Sequence, residues 1–379
     1  MRVSVRHAAA DRAVADSIIV EVELTNGTRG FGETLAREYV TGETVESAAK
    51  AIEKVFVPVL LDFHPQSFPE ALEVIEALPW RDDNSTPIPA ARAAVELALL
   101  DVSMCRFERT VETIVQWMDL PGFGRPGCMS AARFSGVLAT DDPKKMMRQL
   151  RRMYWYGLRD FKLKVGTEGD SQRVRAAARY LAGPIAKGKA SLRVDANGAW
   201  TLDQAAEWLS ELGDVPLAGV EQPLPRGEEK SLVELRGGSD ALLIHDESLI
   251  SESDARNLID SGVADVFNIR IAKCGGLLMA LRLAALARKN GVKVQLGCMV
   301  GETSILSAAA LRFLEVCPEV HWTEGCFGSF LLLGDVTQRP LRFSFAGRPP
   351  KTGPAGLGVE IDDALLRQWS LQPATHFNL

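Results

Sequence analysis

The sequence predicts an α/β protein in which a (β/α)7β barrel follows a smaller α+β domain. From about residue 130 onward, short apolar runs alternate with amphipathic stretches of helical period, a rhythm typical of parallel strands joined by helices. Polar residues stand at the carboxyl end of nearly every run, and the strand ends of such a barrel converge on one face. A doubly wound sheet would instead concentrate them at one glycine-rich first turn.

Eight strands and seven intervening helices make up the predicted barrel, which we place at residues 126–330. The strands are ARFSGVL, FKLKV, LRVDA, AGVEQ, LLIHD, VFNIRI, KVQLG and HWTEG. The helices include DPKKMMRQLRRMYWYG, TLDQAAEWLSELG and LLMALRLAALARKNG.

Residues 1–125 differ in pattern and are predicted to form a separate α+β capping domain. SIIVEVELTNGTRGFGETL alternates apolar and acidic residues and then turns at Asn26-Gly27, which indicates a hairpin. Helical patterns follow in VESAAKAIEKVFVPVLL, PEALEVIEAL and AARAAVELALLDVSMC, and PGFGRP marks a boundary. Residues 331–379 lose the barrel rhythm, so we expect them to return and pack on the cap.

The composition is that of a soluble enzyme. The chain has 379 residues, 46% of them hydrophobic and 24% charged. A net charge of −6 without a basic block argues against nucleic-acid binding, and no apolar run is long enough for a membrane span. The N-terminal charges are too closely spaced for a signal peptide, and six scattered cysteines without a CxxC pair indicate reduced thiols. We therefore expect a cytoplasmic protein.

Three carboxylates define the candidate metal site. Asp195, Glu221 and Asp246 each end a predicted strand, at intervals of about 25–30 residues, close to one barrel unit. Any one of them alone could be a helix cap, but the joint spacing brings all three to one face. Carboxylates without His or Cys neighbours suit one Mg²⁺ per chain, with Mn²⁺ as an alternative.

Two lysines on one strand supply candidate acid–base groups. Lys162 and Lys164 lie two residues apart in FKLKVG, so both side chains point to the same face. When two ammonium groups are buried together near a metal, one should lose its proton more readily. Lys164 is the candidate base and Lys162 a cationic clamp on a substrate oxygen. A solvated pair on an edge strand is the alternative, but a barrel has no edge.

The series K-x-K, D-A-N, V-E-Q-P and D-E-S over residues 161–248 resembles the enolase superfamily, specifically the muconate-lactonizing (muconate cycloisomerase) subgroup of the mandelate racemase–muconate lactonizing enzyme family. The resemblance covers nearly the whole chain and implies a capped, modified TIM barrel. It implies a Mg²⁺-dependent enzyme that removes the proton α to a carboxylate and stabilises an enediolate on the metal, a pattern already known for this superfamily. We expect a homo-oligomer acting on a small-molecule carboxylate.

One residue departs from the subgroup. Where its members carry a second catalytic lysine on the sixth strand, FNIRIAKCGG has Arg270. Arginine does not readily accept a proton, although its planar fork holds carboxylates well. Arg270 is therefore either a substrate-orienting residue or a structural partner of the acidic ligands. This favours one-base cycloisomerisation or dehydration, because racemisation needs a base on each face.

Two alternatives stay open. An epimerase of an amino-acid derivative would use Lys273 or Glu302 as its second base, although family members tend to have a structural lysine at the position of Lys273. A metal-binding barrel without catalysis is the other, and the retained lysines and carboxylates argue against it.

Further candidates for substrate binding come from the resemblance and from strand-end positions. The loop ETLAREYVTGET matches the family's specificity loop, although an ordinary surface loop is an alternative. Gly301 stands where many relatives carry an acid, which leaves the role of Glu302 open, and Cys274-Gly275-Gly276 is expected to form a tight turn rather than a phosphate cradle. The substrate-binding candidates are Arg37, Tyr39, Thr41, Asn197, Lys273, Glu302 and Glu324.

Overall fold

The computed structural model describes residues 1, 5–7, 10–12, 14–61, 63–237 and 239–378. Part of the predicted N-terminal domain, residues 2–4, 8–9, 13 and 62, therefore lies outside the described residues, as do residues 238 and 379.

The N-terminal part contains two small antiparallel sheets and six helices within the described ranges. Its strands are β1 (Val5–His7), β2 (Ala10–Arg12), β3 (Ile18–Glu23) and β4 (Arg29–Thr34). Its helices are α1 (Glu38–Thr41), α2 (Val45–Ala51), α3 (Val57–Leu60), α4 (Phe68–Glu76), α5 (Pro89–Phe107) and α6 (Val111–Trp117).

The predicted hairpin is confirmed. Strands β3 and β4 pair antiparallel, and the turn between them contains Gly27 in the left-handed region at φ +80°, where glycine is favoured. Strand β4 lies directly against the buried helix α5. A Cβ at Gly32 would stand 1.9 Å from the carbonyl oxygen of Ala94, so this close approach of strand and helix requires glycine.

The helix predicted over VESAAKAIEKVFVPVLL is interrupted. A π-helical turn, Ile52–Phe56, separates α2 from α3, and the Val57 N–H bonds to the Ile52 carbonyl five residues earlier. Pro58 follows at once. Because proline lacks an N–H, it cannot continue the regular α-helical ladder.

The prediction of an eight-stranded parallel barrel is confirmed. The strands form one sheet in chain order, each parallel to its neighbours. The segment before the first strand closes the sheet onto the last, since Phe134 bridges Thr323 in parallel and the Ser135 N–H donates to the Thr323 carbonyl at 2.8 Å. The strands are β5 (Gly136–Leu138), β6 (Asp160–Lys164), β7 (Ser191–Asp195), β8 (Gly219–Glu221), β9 (Leu242–His245), β10 (Val266–Ile269), β11 (Lys293–Leu296) and β12 (Val320–Thr323).

Six of the seven strand connections contain the predicted α-helices. The connection between β8 and β9 carries a 3-10 helix, Glu229–Gly237, in place of an α-helix. The helices from α7 to the C-terminus are α7 (Cys128–Ala131), α8 (Pro143–Trp155), α9 (Asp170–Ala186), α10 (Leu202–Leu212), α11 (Glu252–Asp260), α12 (Leu277–Lys289), α13 (Ser304–Val316) and α14 (Asp363–Trp369).

The C-terminal segment contacts the N-terminal part of the chain. The Leu357 N–H donates to Asp101 on α5 at 2.6 Å, and Asp363 pairs with Arg29 on β4 at 2.7 Å. These are contacts of the kind expected if the C-terminal segment packs on the N-terminal domain. The domain boundaries at residues 125 and 330 stay predictions.

Candidate active site

Strand register aligns the three candidate metal ligands at the carboxyl end of the barrel. Lys164 on β6 pairs with Asp195 on β7, and Asp195 in turn pairs with Glu221 on β8. Asp246 directly follows β9, two residues beyond the partner of Glu221. All three carboxylates are completely buried. The parallel register that the strand rhythm predicted thus brings them to neighbouring strand ends.

Asp195 is bound by both lysines of the K-x-K pair. Lys164 Nζ lies 2.6 Å from Asp195 Oδ2 and Lys162 Nζ lies 3.2 Å from the same oxygen. Burial alone would raise the pKa of Asp195, but the two ammonium groups hold it well below its usual range. Lys164 also donates to Asn197 at 2.7 Å, and Asn197 donates in turn to Glu247 at 3.0 Å.

Glu221 accepts hydrogen bonds from three side chains on three strands. Lys162 Nζ lies 3.1 Å from Oε1, Asn268 Nδ2 donates at 2.8 Å, and Gln295 Nε2 donates to Oε2 at 2.9 Å. Burial raises the pKa of Glu221, and the nearby charge of Asp195 raises it further. The carboxylate is therefore fixed in orientation by contacts from across the barrel.

Asp246 is paired with Arg270 and Lys273. The Arg270 guanidinium binds Asp246 Oδ2, and its Nη1 lies 3.8 Å from the Met299 sulfur. Lys273 Nζ lies 2.9 Å from Asp246 Oδ1 and also donates to the carbonyls of Asp246, at 2.6 Å, and Asn268, at 2.8 Å. Burial lowers the pKa of Lys273 to about 8. All three donors of its ammonium thus have acceptors.

Lys162, predicted to be the cationic clamp of the lysine pair, is surrounded by acidic side chains. This side chain lies within 3.2 Å of three carboxylates, those of Asp195, Glu221 and Glu324. Burial alone would lower its pKa, but the carboxylates, with Glu221 first, raise it well above its usual range. Lys162 therefore remains a cation, as the clamp role requires.

The donor chemistry of the site fits a hard divalent cation. Three carboxylates without His or Cys are the ligands that Mg²⁺ prefers, and Glu247 adds a buried Oε2 for which the described residues supply no hydrogen-bond partner. In the described ranges, no three acidic, His or Cys side chains are placed to hold a metal ion as they stand. Each carboxylate is instead neutralised by a cation of the chain, so metal binding requires some of these cations to turn away.

Two residues that follow the ligands have backbone conformations that non-glycine residues rarely adopt. Asn197 has φ +48° and Gln222 has φ +39°. Gln222 is held there by its side chain, whose oxygen accepts the N–H groups of Asp246 and Ser248, each at 3.1 Å. Gln222 thereby connects the end of β8 to the segment after β9 by hydrogen bonds. Strained backbone conformations of this kind are often found at functional sites.

The predicted specificity loop is partly helical, because α1 spans Glu38–Thr41. Arg37 is buried and pairs with Asp16 at 2.7 Å, while Thr41 is buried and Tyr39 is half-buried against the core. The assignment of these residues to a substrate stays a prediction.

Glu302 and Glu324 are both buried near the end of the barrel, with different surroundings. Glu302 accepts the Met299 N–H at 3.2 Å, and burial together with the charge of Glu33 raises its pKa to about 8. Glu324 binds Lys162 at 2.7 Å and Arg193 at 2.6 Å. Although burial opposes it, these two cations lower the pKa of Glu324.

Sequence reasoning missed three polar residues inside the barrel. Arg193, Asn268 and Gln295 are completely buried and bind Glu324 or Glu221. The signal was available, since Arg193 stands two residues before Asp195, and Asn268 two before Arg270. The same alternation that identified the two lysines therefore predicts these inward-facing residues. The tight turn predicted at Cys274-Gly275-Gly276 is supported by φ +77° and +124° at its glycines.

Comparison with known proteins agrees with this geometry. Residues 145–365 match the family described as Enolase C-terminal domain-like, and the chain belongs to that family, within the enolase superfamily. The predicted resemblance is confirmed, and the protein is an enzyme of this superfamily.

Individual relatives carry out more than one reaction. The chain is 31% identical over 300 residues to the hydrophobic dipeptide epimerase of Enterococcus faecalis, covering 78% of each chain. It is similar to a muconate lactonizing enzyme of known structure, with a TM-score of 0.79, 26% identity and 97% of each chain covered. A dipeptide epimerase from Enterococcus faecalis, complexed with Mg and the dipeptide L-Leu-L-Tyr, has a TM-score of 0.76 and 27% identity, with 94% of this chain and 95% of that chain covered.

Among the described helices, none combines the length and the apolarity that crossing a bilayer would take.

Proposed function

We propose that this protein is a Mg²⁺-dependent enzyme that removes or returns the proton α to a carboxylate, with Lys164 as its single base. Asp195, Glu221 and Asp246 would hold the metal. A bound Mg²⁺ supplies a positive charge that stabilises negative charge developing on a substrate carboxylate. The reaction is then cycloisomerisation or elimination of water from a small carboxylic acid, which is the substrate class we expect.

Lys164 has the contacts expected of a base at the mouth of the barrel. Its side chain is 11% exposed, against 2% for Lys162, so it is the more accessible member of the pair. It lies at the last position of β6, beside Asp195 and Asn197. A metal that bound Asp195 would compete with Lys164 for this carboxylate, and Asn197 would remain to orient the lysine.

The single observation that carries the one-base proposal is the arrangement around Asp246. Arg270 occupies the place where a second base would stand, and a guanidinium stays protonated at ordinary pH. Lys273 is completely buried and its three donors are all satisfied. Even if a metal took up the Asp246 carboxylate, Arg270 would stay a cation, and the backbone carbonyls of Asp246 and Asn268 would still hold Lys273. Neither side chain would then be free to take a proton from the opposite face of a substrate.

Epimerisation is the second candidate, because the Enterococcus faecalis relative is a dipeptide epimerase. Of the two proposed second bases, Glu302 is the one not engaged with Asp246. Its pKa is raised to about 8, so it is mostly protonated at neutral pH and would act first as an acid. Epimerisation therefore predicts activity that rises through pH 8, where Glu302 becomes a base.

Calorimetry of Mg²⁺ binding tests the metal site. Asp195→Asn removes one of three negative ligands, so we expect affinity to fall at least about tenfold, the equivalent of about 1.4 kcal/mol. Asp214→Asn, at an exposed carboxylate, is the matched control and should bind as the unaltered protein does. Equal affinity in both variants would show that the metal site is wrongly assigned.

A screen of carboxylates for α-proton exchange in deuterated water tests the reaction. Dipeptides, N-acylated amino acids, hydroxy acids and unsaturated dicarboxylates cover the two candidates. Exchange that disappears in Lys164→Ala supports the proposal, while exchange that survives this change would assign the base elsewhere.

A further inference from the structure

We propose that Arg193 is a positioning residue, which acts through Glu324 to keep the Lys162 ammonium directed at the substrate end of the barrel. The inference rests on the proposed function, in which Lys162 clamps a substrate oxygen. It concerns a residue that is remote from the reacting atoms and that would work only by holding another side chain in place.

The first observation is a chain of ion pairs across the barrel interior. Arg193 on β7 binds Glu324 Oε1 at 2.6 Å, and Glu324, which directly follows β12, binds Lys162 on β6 through Oε2 at 2.7 Å. The two oxygens of Glu324 thus serve one cation each. Because Arg193 stands two residues before Asp195 on the same strand, it lies on the inward face one layer below the candidate metal ligands.

The second observation is the balance of charge around Lys162. One ammonium cannot neutralise the three buried carboxylates that lie within 3.2 Å of it. Lys164 binds Asp195, and Arg193 supplies a further cation at the second oxygen of Glu324. A buried carboxylate that loses a partner remains an uncompensated charge, which is strongly unfavourable.

The third observation is that Arg193 is itself fixed in place. Its side chain is completely buried, its Nη2 lies 3.2 Å from Ser135 Oγ, and its guanidinium lies over the Trp322 ring at 4.8 Å. Ser135 and Trp322 belong to the segments that close the barrel. These two contacts favour one position of the guanidinium, whose Nε and Nη1 have no hydrogen-bond partner in the described part of the chain.

Together these contacts define what Arg193 does. With Arg193 present, Glu324 is shared, and Lys162 stays within 3.1 Å of Glu221 and 3.2 Å of Asp195. Without it, the full charge of Glu324 faces Lys162 alone. The ammonium would then be drawn toward Glu324 and away from the layer in which a substrate carboxylate would bind.

Crystal structures of four variants test this without any substrate. In Arg193→Met we expect Lys162 Nζ to keep its contact with Glu324 and to lose the one with Glu221. In the double variant Arg193→Met with Glu324→Gln, the attracting charge is gone and Lys162 should return to Glu221. Arg193→Lys retains the charge and should keep Lys162 in place. Glu324→Gln alone should leave Lys162 on Asp195 and Glu221. If Lys162 keeps its position in Arg193→Met, Arg193 is a structural residue and the inference is overturned.

Kinetics on any substrate found by the exchange screen provide the second readout. Arg193→Met should raise KM about tenfold more than it lowers kcat, and adding Glu324→Gln should reverse most of the rise in KM, which an additive pair of changes would not do. Arg312→Met is the matched control, because Arg312 is also a buried arginine but binds the carbonyls of Gly353 and Gly356. This variant should be less stable than the unaltered protein and should have the same KM. Equal KM effects at both arginines would contradict the inference.

The two readouts separate this inference from the proposed function. If no carboxylate shows exchange, the proposed function fails, while the crystal structures still decide where Lys162 lies. If exchange is found and Lys162 does not move in Arg193→Met, only the positioning role is lost.

Discussion

Replacing Lys273 by methionine separates a structural lysine from a catalytic one. Lys273 is fully buried, and its ammonium donates to the Asp246 carboxylate and to the carbonyls of Asp246 and Asn268. Methionine fills a similar volume but donates nothing. The change therefore leaves three buried acceptors without this partner, while Asp246 keeps only Arg270 as a described cation.

The size of the effect follows from these contacts. Removing one partner of a buried ion pair costs about 3–5 kcal/mol, because the remaining charge is left uncompensated. The two lost carbonyl bonds each add about 1 kcal/mol or more if no water replaces the ammonium. Arg270 offsets part of this by keeping Asp246 paired. We expect Lys273→Met to lower the free energy of unfolding by about 3–5 kcal/mol.

Urea denaturation followed by circular dichroism measures this loss. Lys164→Met is the control, because Lys164 donates to side chains only and Asp195 keeps Lys162 after the change. We expect a smaller loss, of about 1–3 kcal/mol. A Lys273→Met protein as stable as the unaltered chain would refute the structural role, and the epimerase reading with Lys273 as second base would gain support.

Three further predictions follow from buried groups. Burial raises the pKa of Glu33 from 4.5 to about 7, so its contribution to the free energy of unfolding is greatest below pH 4.5 and falls by about 3 kcal/mol as pH rises to 7. Urea denaturation at pH 5 and at pH 8 should therefore show a smaller change in the free energy of unfolding for Glu33→Gln than for the unaltered protein. An equal change in both proteins would contradict the raised pKa. In Gly297→Ala the new Cβ would stand 2.2 Å from Asn268 Oδ1 and displace the hydrogen bond from Asn268 to Glu221. We expect this change to lower the free energy of unfolding by about 1–3 kcal/mol and to weaken Mg²⁺ binding. Unchanged Mg²⁺ affinity in calorimetry would contradict the prediction. Arg270→Lys should lower turnover by losing the planar contact to a carboxylate, and stereochemical analysis of the product should then reveal slow exchange on the opposite face; turnover equal to that of the unaltered enzyme would exclude a clamping role.

The strand pattern was sufficient to predict the barrel and the convergence of its polar residues. Alternation and repeated spacing can be read from the local sequence. Because the strands pair in parallel register, residues at equivalent positions become neighbours, as Lys164, Asp195 and Glu221 do. Features that depend on several distant segments were not predictable in this way. The π turn before Pro58 and the 3-10 connection between β8 and β9 depend on packing rather than on hydrophobic period.

The sequence also could not predict which charged residues form ion pairs inside the barrel. Position alone made Glu324 a substrate-binding candidate, but only the three-dimensional arrangement brings Lys162 and Arg193 to its two oxygens. In the same way, the raised pKa of Lys162 depends on how many carboxylates surround it. Spacing along the chain predicts which residues face inward, but it does not predict which of them pair.

The stereochemistry of α-proton exchange tests the central claim most directly. A substrate from the carboxylate screen is incubated in deuterated water with Mg²⁺, and the configuration at the labelled carbon is determined by NMR. With Lys164 as the only base, deuterium should enter from one face, and Lys164→Ala should abolish its uptake. Deuterium on both faces, or racemisation of a chiral substrate by the unaltered protein, would contradict the one-base account and place a second base opposite Lys164.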